Sequence, residues 1–245
     1  ELKDIPKETI VTYNKEEELC LKGEECNAEV TQVFTVEKEF TNYMTLKEKI
    51  PTNLFLDPEV GYCGDLTTAD SIYTMNQSAN ATNTCFKVTA NNVTLDCDGF
   101  TINYSQSGAI AGYGIYGTRI NFLTVKNCNI TEGITTTNAK YGIYLYNVTN
   151  TTIFKNNITT IGTNSYGIIL DYFSNYFNVS NNNINTTGGN GRGMYIVRSR
   201  GIISNNNIRT ANYNAYGINL YSSNNIDVSS NIITTTHGQR DWSIV

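Results

Sequence analysis

The sequence predicts an all-β chain wound as a right-handed parallel β-helix, a solenoid of coils about 24–28 residues long, preceded by a short β-rich N-terminal segment. Three observations predict it. Tyr113-Gly114-Ile115 recurs as Tyr141-Gly142-Ile143, Tyr166-Gly167-Ile168, Arg192-Gly193-Met194 and Tyr216-Gly217-Ile218, with glycine spacings of 28, 25, 26 and 24. A second, Asn-rich motif keeps step between these triplets, running from Val125 to Ile130, Ile153 to Ile158, Val179 to Ile184, Ile203 to Ile208 and Val228 to Ile233. Apolar residues alternate after each glycine, as in Ile143 and Leu145, Ile168 and Leu170, Met194 and Ile196, and Ile218 and Leu220.

Alternation is strand periodicity, whereas helical repeats would need apolar residues at i, i+3, i+4 and i+7. A coil of this length accommodates three short strands and their turns. One coil cannot bury its apolar side alone, so stability requires several in series, each strand parallel to its copy one turn on. Composition agrees. The chain holds 35 asparagines and only 16% charged residues, and Asn and Thr rank low in helix propensity while suiting turns and strands.

Aligned coils form columns. One reads Cys128, Asn156, Asn182, Asn206, Asn231. It falls where a strand must turn sharply, and Asn tolerates the left-handed backbone of a tight turn. Stacked amides can also bond from coil to coil, so a structural Asn ladder is expected at Asn156, Asn182, Asn206 and Asn231. A second column, Tyr113, Tyr141, Tyr166, Arg192, Tyr216, reads as an aromatic ladder with Arg192 stacked between tyrosines. The glycines that follow mark a bend or a close approach of coils.

Composition changes near residue 60. Residues 1–60 hold 14 of the 22 acidic groups, 7 of the 17 basic ones and all three prolines. We therefore divide the chain into an N-terminal cap or assembly segment, 1–60, and a β-helix, 61–245. In the first, Thr9–Tyr13, Val30–Glu37 and Glu39–Leu46 read as strands. They either cap the first coil or pair with a neighbouring subunit by strand addition. At the other end, Trp242 aligns with Tyr216 and Ile244 with Ile218, so the β-helix is expected to end mid-coil. An open last coil needs a cover, and copies of the chain or further domains of a longer one are the expected partners.

Six cysteines, Cys20, Cys26, Cys63, Cys85, Cys97 and Cys128, accompany a single histidine. No zinc pattern exists, and disulfides in an oxidising compartment are expected. Ten Asn-X-Ser/Thr sequons agree with a secreted, cell-surface glycoprotein: Asn76, Asn80, Asn92, Asn103, Asn129, Asn147, Asn150, Asn157, Asn178 and Asn185. The chain opens without a leader segment, so either a mature form or a form trimmed for expression is expected. No basic run suits nucleic acid, and no stretch approaches the length of a membrane span.

The two motifs together resemble the right-handed parallel β-helix repeat proteins, the pectin-lyase-like architecture with its NosD-type repeats. The run from Tyr62-Cys63-Gly64 through Ile72-Tyr73 and Cys85-Phe86 to Leu95-Asp96-Cys97-Asp98-Gly99 resembles the first coils of such modules in archaeal secreted and surface proteins. The resemblance covers about residues 61–245. It implies the fold and leaves function open, because this architecture hosts lyases, hydrolases, adhesins and scaffolds alike. With Leu95 aligned on Val125, Cys97 and Cys128 fall in neighbouring coils, within disulfide reach. Cys63 with Cys85 would pin the N-terminal coil, and Cys20 with Cys26 would close a hairpin. Other pairings stay open.

No catalytic, cofactor or metal site is expected. From Glu132 onward the acids are Glu132, Asp171, Asp227 and Asp241, and they share no column. Asp96 and Asp98 suit turn chemistry. His237-Gly238 resembles an element of pectin-degrading hydrolases, but its acidic companions are missing, and the NosD likeness lacks the His and Met clusters of copper chemistry. The notable surface is aromatic. Tyr116, Tyr144 and Tyr195 share an outward column with Ile169 and Asn219, and Tyr146 and Tyr221 stand beside it. Such a strip either stacks on sugar rings, or is buried against another subunit, or reflects the strand propensity of aromatics. The expected function is a non-catalytic structural subunit of a cell-surface filament, appendage or lattice. The alternatives are a surface-polysaccharide-binding adhesin and a polysaccharide lyase or hydrolase.

Overall fold

A computed structural model of the chain describes residues 10–14, 31–35, 59–107, 112–133, 140–236 and 242–244. It divides into two compact units, Glu1–Phe55 and Leu56–Val245. In the first, Ile10–Asn14 pairs antiparallel with Thr31–Thr35. The expected strand at Glu39–Leu46, Cys20, Cys26 and His237-Gly238 lie outside the described residues.

The second unit is a parallel β-helix of about seven turns, built from three sheets of eight, eight and seven strands. Each coil visits them in the same order. Tyr141–Tyr146 lies in the first sheet, Thr152–Phe154 in the second and Asn157–Thr160 in the third, and the next coil begins at Tyr166–Asp171. All strand pairs in this unit are parallel, and the registers are those of the sequence alignment: Tyr141 beside Tyr113 and Tyr166, Ile153 beside Val125 and Val179, and Trp242 beside Tyr216.

The core is a set of like-on-like columns. The third sheet stacks Ile102, Ile130, Ile158, Ile184 and Ile208, all fully buried. The second stacks Leu95, Val125, Ile153, Val179 and Ile203, and the first stacks Phe86, Ile115, Ile143, Ile168, Met194 and Ile218. β-Branched residues dominate because they pack well on a pleated surface.

The glycine column has a steric cause. A Cβ on Gly167 would stand 2.5 Å from Ile184 Cγ2 and 2.6 Å from the carbonyl oxygen of Gly193, and Gly114 and Gly142 meet the same two obstacles. The isoleucine of the third sheet thus lies over the glycine of its own coil, while the next glycine carbonyl closes the space from above. The expectation of close coil-to-coil approach describes this contact.

The turn between second and third sheets is the other fixed element. Asn182 donates from Nδ2 to the carbonyls of Ile153 (2.9 Å) and Ser180 (3.1 Å) and to Asn206 Oδ1 (3.0 Å). Its Oδ1 accepts from the backbone N–H of Asn156 and from Asn156 Nδ2, both at 3.0 Å. Asn156 and Asn206 repeat this pattern and Asn231 terminates it. These amides bond from coil to coil inside the stack, but they are not the left-handed residues. Positive φ falls one place earlier, at Asn127, Lys155, Asn181, Asn205 and Ser230 (54–57°). That residue makes the bend, and the next one turns its side chain inward and opens the third strand. Where the ladder stops, Cys128 takes the column, its N–H donating to Asn156 Oδ1 at 3.0 Å, and it is disulfide-bonded to Cys97 with Cα atoms 4.7 Å apart. Cys63 and Cys85 join adjacent coils likewise, 4.5 Å apart.

Two stability measurements follow. Gly167→Ala should lower the unfolding free energy by about 1–3 kcal/mol through overpacking, whereas Gly64→Ala, with nothing within 4 Å of its new Cβ, should stay close to wild type in the same urea titration. Asn182→Ala should cost about 2–3 kcal/mol by orphaning buried groups. Asn207→Ala, which removes an exposed 3.2 Å bond to Asn183, should cost less than about 1 kcal/mol.

Candidate functional site

The outer face of the first sheet is built by the glycine contact. Strict alternation would place Tyr141 and Tyr144, three residues apart, on opposite faces. In each long strand the glycine and the following residue are both buried, as Gly142 and Ile143 are. The side-chain-free inward position shifts the phase, so the two tyrosine columns emerge on one face. The sequence reading kept them as two separate columns. The signal that unites them is the pair of consecutive inward positions after each aromatic.

The first column is stacked along the axis. Tyr141 lies between Tyr113 (ring centroids 5.7 Å, planes 26° apart) and Tyr166 (5.2 Å, 19°), so both its faces are occupied. Tyr116 and Tyr144, side by side in register, close on this column: Tyr116 stacks on Tyr113 at 5.2 Å, and Tyr144 meets Tyr141 edge-on at 5.8 Å. Ile169, buried, interrupts the second column, and Arg192 carries the face onward. Its guanidinium lies 4.9 Å from the Tyr166 ring, 4.2 Å from Tyr195 and 5.4 Å from Tyr216. Tyr116, Tyr144 and Tyr195 thus belong to one aromatic–guanidinium surface. Tyr146 does not: it stacks on Tyr172 at 5.0 Å with planes 4° apart, toward the turn. Tyr221 is exposed, and Asp171 and Val197 occupy the positions between it and Tyr146.

Packing this close alters the phenols. Burial pushes Tyr141 up to about 12, with its tyrosine neighbours adding to the shift and Arg192 opposing it. Burial raises Tyr144 as well, reinforced by the Asp171 carboxylate, and burial raises Tyr113 and Tyr166. At the N-terminal foot of this face, a shallow groove is lined by Asp65, Thr84, Lys87, Tyr113 and Tyr116 beside the Cys63–Cys85 disulfide.

Sequence reasoning missed a buried polar cluster at the corner between third and first sheets. Glu132 sits in an inward column between Tyr104 and Thr160, where its neighbours call for small or apolar groups. Its carboxylate accepts from the N–H groups of Ile161 (2.8 Å) and Gly162 (3.1 Å) and from the Ser165 hydroxyl (3.1 Å). Burial pushes Glu132 up from the ordinary carboxylate range, against these bonds and the nearby Lys140 ammonium. Both side chains are buried, and the bonds of Glu132 tie its coil to the next. Asp96 binds its own turn: it accepts from the N–H of Asp98 (3.1 Å) and Asn127 Nδ2 (2.9 Å), and pairs with Lys126 Nζ at 2.9 Å. Among the described residues no three His, Cys, Asp or Glu side chains group to hold a metal.

The sequons distribute unevenly. Asn80, Asn103, Asn129, Asn157 and Asn185 lie on the third sheet, Asn178 on the second, Asn92, Asn147 and Asn150 in turns between first and second, and Asn76 in a turn between second and third. The first sheet carries none. On the third sheet an outward amide row, also missed in the sequence, links Asn129, Asn157, Asn183 and Asn207 from coil to coil.

No family model matches the sequence, and no curated protein matches it. Among solved structures, the A-module of the Azotobacter vinelandii mannuronan C-5 epimerase AlgE4 is similar over 75% of this chain and 90% of that one, at 8% identity and a TM-score of 0.17. A likeness this slight carries no argument about this chain.

The raised phenol of Tyr141 makes a prediction at alkaline pH. Its folded value lies above the ordinary value of about 10, so its contribution to stability is complete below pH 10 and is lost as pH rises through 12. Between pH 9 and 11.5 the unfolding free energy should fall, and Tyr141→Phe should show a shallower fall in the same denaturant series.

Proposed function

We propose that this chain is a non-catalytic structural module of an extracellular, cell-surface assembly, and that the tyrosine face is where it contacts another copy of itself. The observation that supports this most directly is the division of its surface. The first sheet presents a continuous Tyr–Arg face without a sequon, while the third sheet carries five. Sugars on the other faces would leave this one bare. Tyr and Arg are the residues enriched at protein interfaces, where they combine large contact area with hydrogen-bonding tips. The two disulfides between adjacent coils are in keeping with an oxidising compartment.

Ring orientation weighs against the sugar-strip alternative. A sugar ring stacks on an open aromatic face, but in the Tyr113–Tyr141–Tyr166 column the faces are turned toward one another and the edges outward. The groove beside Asp65 and Lys87 favours a second reading, a polysaccharide-binding module, because it sets hydrogen-bonding groups beside Tyr113 and Tyr116 at the start of the stack.

Sedimentation velocity and electron microscopy at high concentration separate these readings. Wild type should associate into regular filaments or sheets, and Tyr144→Ser combined with Tyr195→Ser should leave single rods. Wild-type rods that stay single, and that bind a polysaccharide panel through Lys87, would replace the assembly reading with the second one.

A further inference from the structure

The turn from the first sheet to the second contains a position that is left-handed in successive coils: Phe122 (φ 58°), Asn150 (φ 51°) and Tyr176 (φ 57°). They form a column. The bridges Asn121–Thr149–Asn175 align the turns, the N–H of Phe122 donates to the carbonyl of Thr149 at 2.9 Å, and that of Asn150 donates to the carbonyl of Asn175 at 3.0 Å. Neighbouring members therefore stand about one strand spacing apart, roughly 4.8 Å. Asn is the ordinary occupant of such a position, whereas bulky aromatics are outliers there. Burial does not repay Phe122 and Tyr176 for this conformation, because they are 56% and 61% exposed. Strain combined with exposure points to something outside the polypeptide that packs on the rings.

The residue between them opens a sequon, Asn150-Thr151-Thr152. Asn150 is exposed, and its amide makes no hydrogen bond within the described residues. Four of the other sequons differ. Nδ2 of Asn92 donates to Asp70 Oδ1 (2.7 Å), that of Asn103 to Asn80 Oδ1 (2.9 Å), that of Asn129 to the Gly99 carbonyl (2.6 Å), and that of Asn157 to Asn129 Oδ1 (3.4 Å). Tyr176 is held in place by Arg200, one coil further on. The guanidinium covers one ring face at 4.4 Å and donates to the phenol oxygen at 2.7 Å, while the side chain as a whole stays largely exposed.

We infer that Asn150 carries an N-linked sugar and that Phe122 and Tyr176 are the platforms on which its first rings lie. The axial C–H groups of a pyranose suit an aromatic face. Attachment requires a lipid-diphosphate-linked oligosaccharide. Asn150 Nδ2 attacks the anomeric carbon, the new C–N bond replaces the C–O bond, the lipid diphosphate departs with that bond's electron pair, and the amide proton passes to solvent. The inference rests on the extracellular reading of the chain, since only a secreted chain meets such a donor.

The test uses the full chain secreted from a eukaryotic host. Amidase release in heavy-oxygen water marks each modified Asn by mass, and thermal midpoints are taken before and after release. Asn150 should be occupied, and release should lower the wild-type midpoint by about 2–4 °C more than that of Thr152→Val, which lacks the sequon but keeps Asn150 in its turn. Phe122→Ser combined with Tyr176→Ser, both at exposed positions, should still be modified at Asn150 but should lose that extra drop. An unmodified Asn150, or an undiminished drop in the double variant, overturns the inference. Protein from its native source with free Cys97 and Cys128 and no sugar would instead overturn the extracellular reading, and would leave the result from the secretory host standing.

Discussion

Each coil of this molecule depends on its neighbours for both hydrogen bonds and burial, and the dependence is concentrated where the third strand meets the glycine of its own coil beneath the glycine carbonyl of the next. The Ile158 methyl lies against Gly142, and the Gly167 carbonyl lies above the same spot. This contact requires a residue without a side chain, and it fixes how far each coil can close. It also shifts the inward-outward phase of the first strand, which brings two tyrosine columns onto one surface. The packing of the core and the make-up of the candidate site thus have one origin. At the opposite corner the Asn amides perform the matching task for polar groups. Their donors and acceptors satisfy carbonyls and N–H groups that a sharp turn would otherwise strand.

The corner column also shows how covalent and non-covalent solutions substitute for each other. Asn156, Asn182, Asn206 and Asn231 fill four coils, and Cys128 fills the next toward the N-terminus, bonded to Cys97. The turn after Asp96 is longer, with Asp98 and Gly99 both at positive φ, so an amide in the ladder geometry has no equivalent position there. A disulfide links these two coils instead, and Asp96 fastens the longer turn through Asp98, Asn127 and Lys126.

Much of this was legible in the sequence because like residues stack on like. The Tyr-Gly-Ile period gave the coil length and the register of the first sheet, and the Asn-rich period gave the corner. Alignment of Leu95 with Val125 placed Cys97 near Cys128. What the sequence did not disclose depends on events that a period cannot encode. A phase shift inside a strand is invisible to a rule of strict alternation, so the two tyrosine columns read as separate features. Left-handed φ was assigned to the ladder residue because Asn is its usual occupant, yet Lys155 and Ser230 occupy that conformation as well. Glu132 stood out in the sequence only as an acid that shares no column with another, because nothing in the chain announces that Ile161, Gly162 and Ser165 will converge on a carboxylate.

The three outer faces use their polar groups differently, and this difference bears on what each can meet. On the third sheet, amides bond to amides along the axis, so the row is small, flat and already satisfied in one direction. On the first sheet the phenols stack, and their desolvation is deep enough to hold Tyr141 near 12. The guanidinium of Arg192, set over three rings, is held in one orientation, as the proposed contact with another copy would require. Pre-organisation of this kind lowers the entropy cost of association. The turn between first and second sheets is the contrary case. Among the described residues Phe122 has no such company and Tyr176 has only the Arg200 guanidinium on one face; both stand in a conformation that aromatics avoid and are more than half exposed. The proposed contact surface thus uses rings that complete one another, and the proposed attachment point at Asn150 uses rings that stand apart.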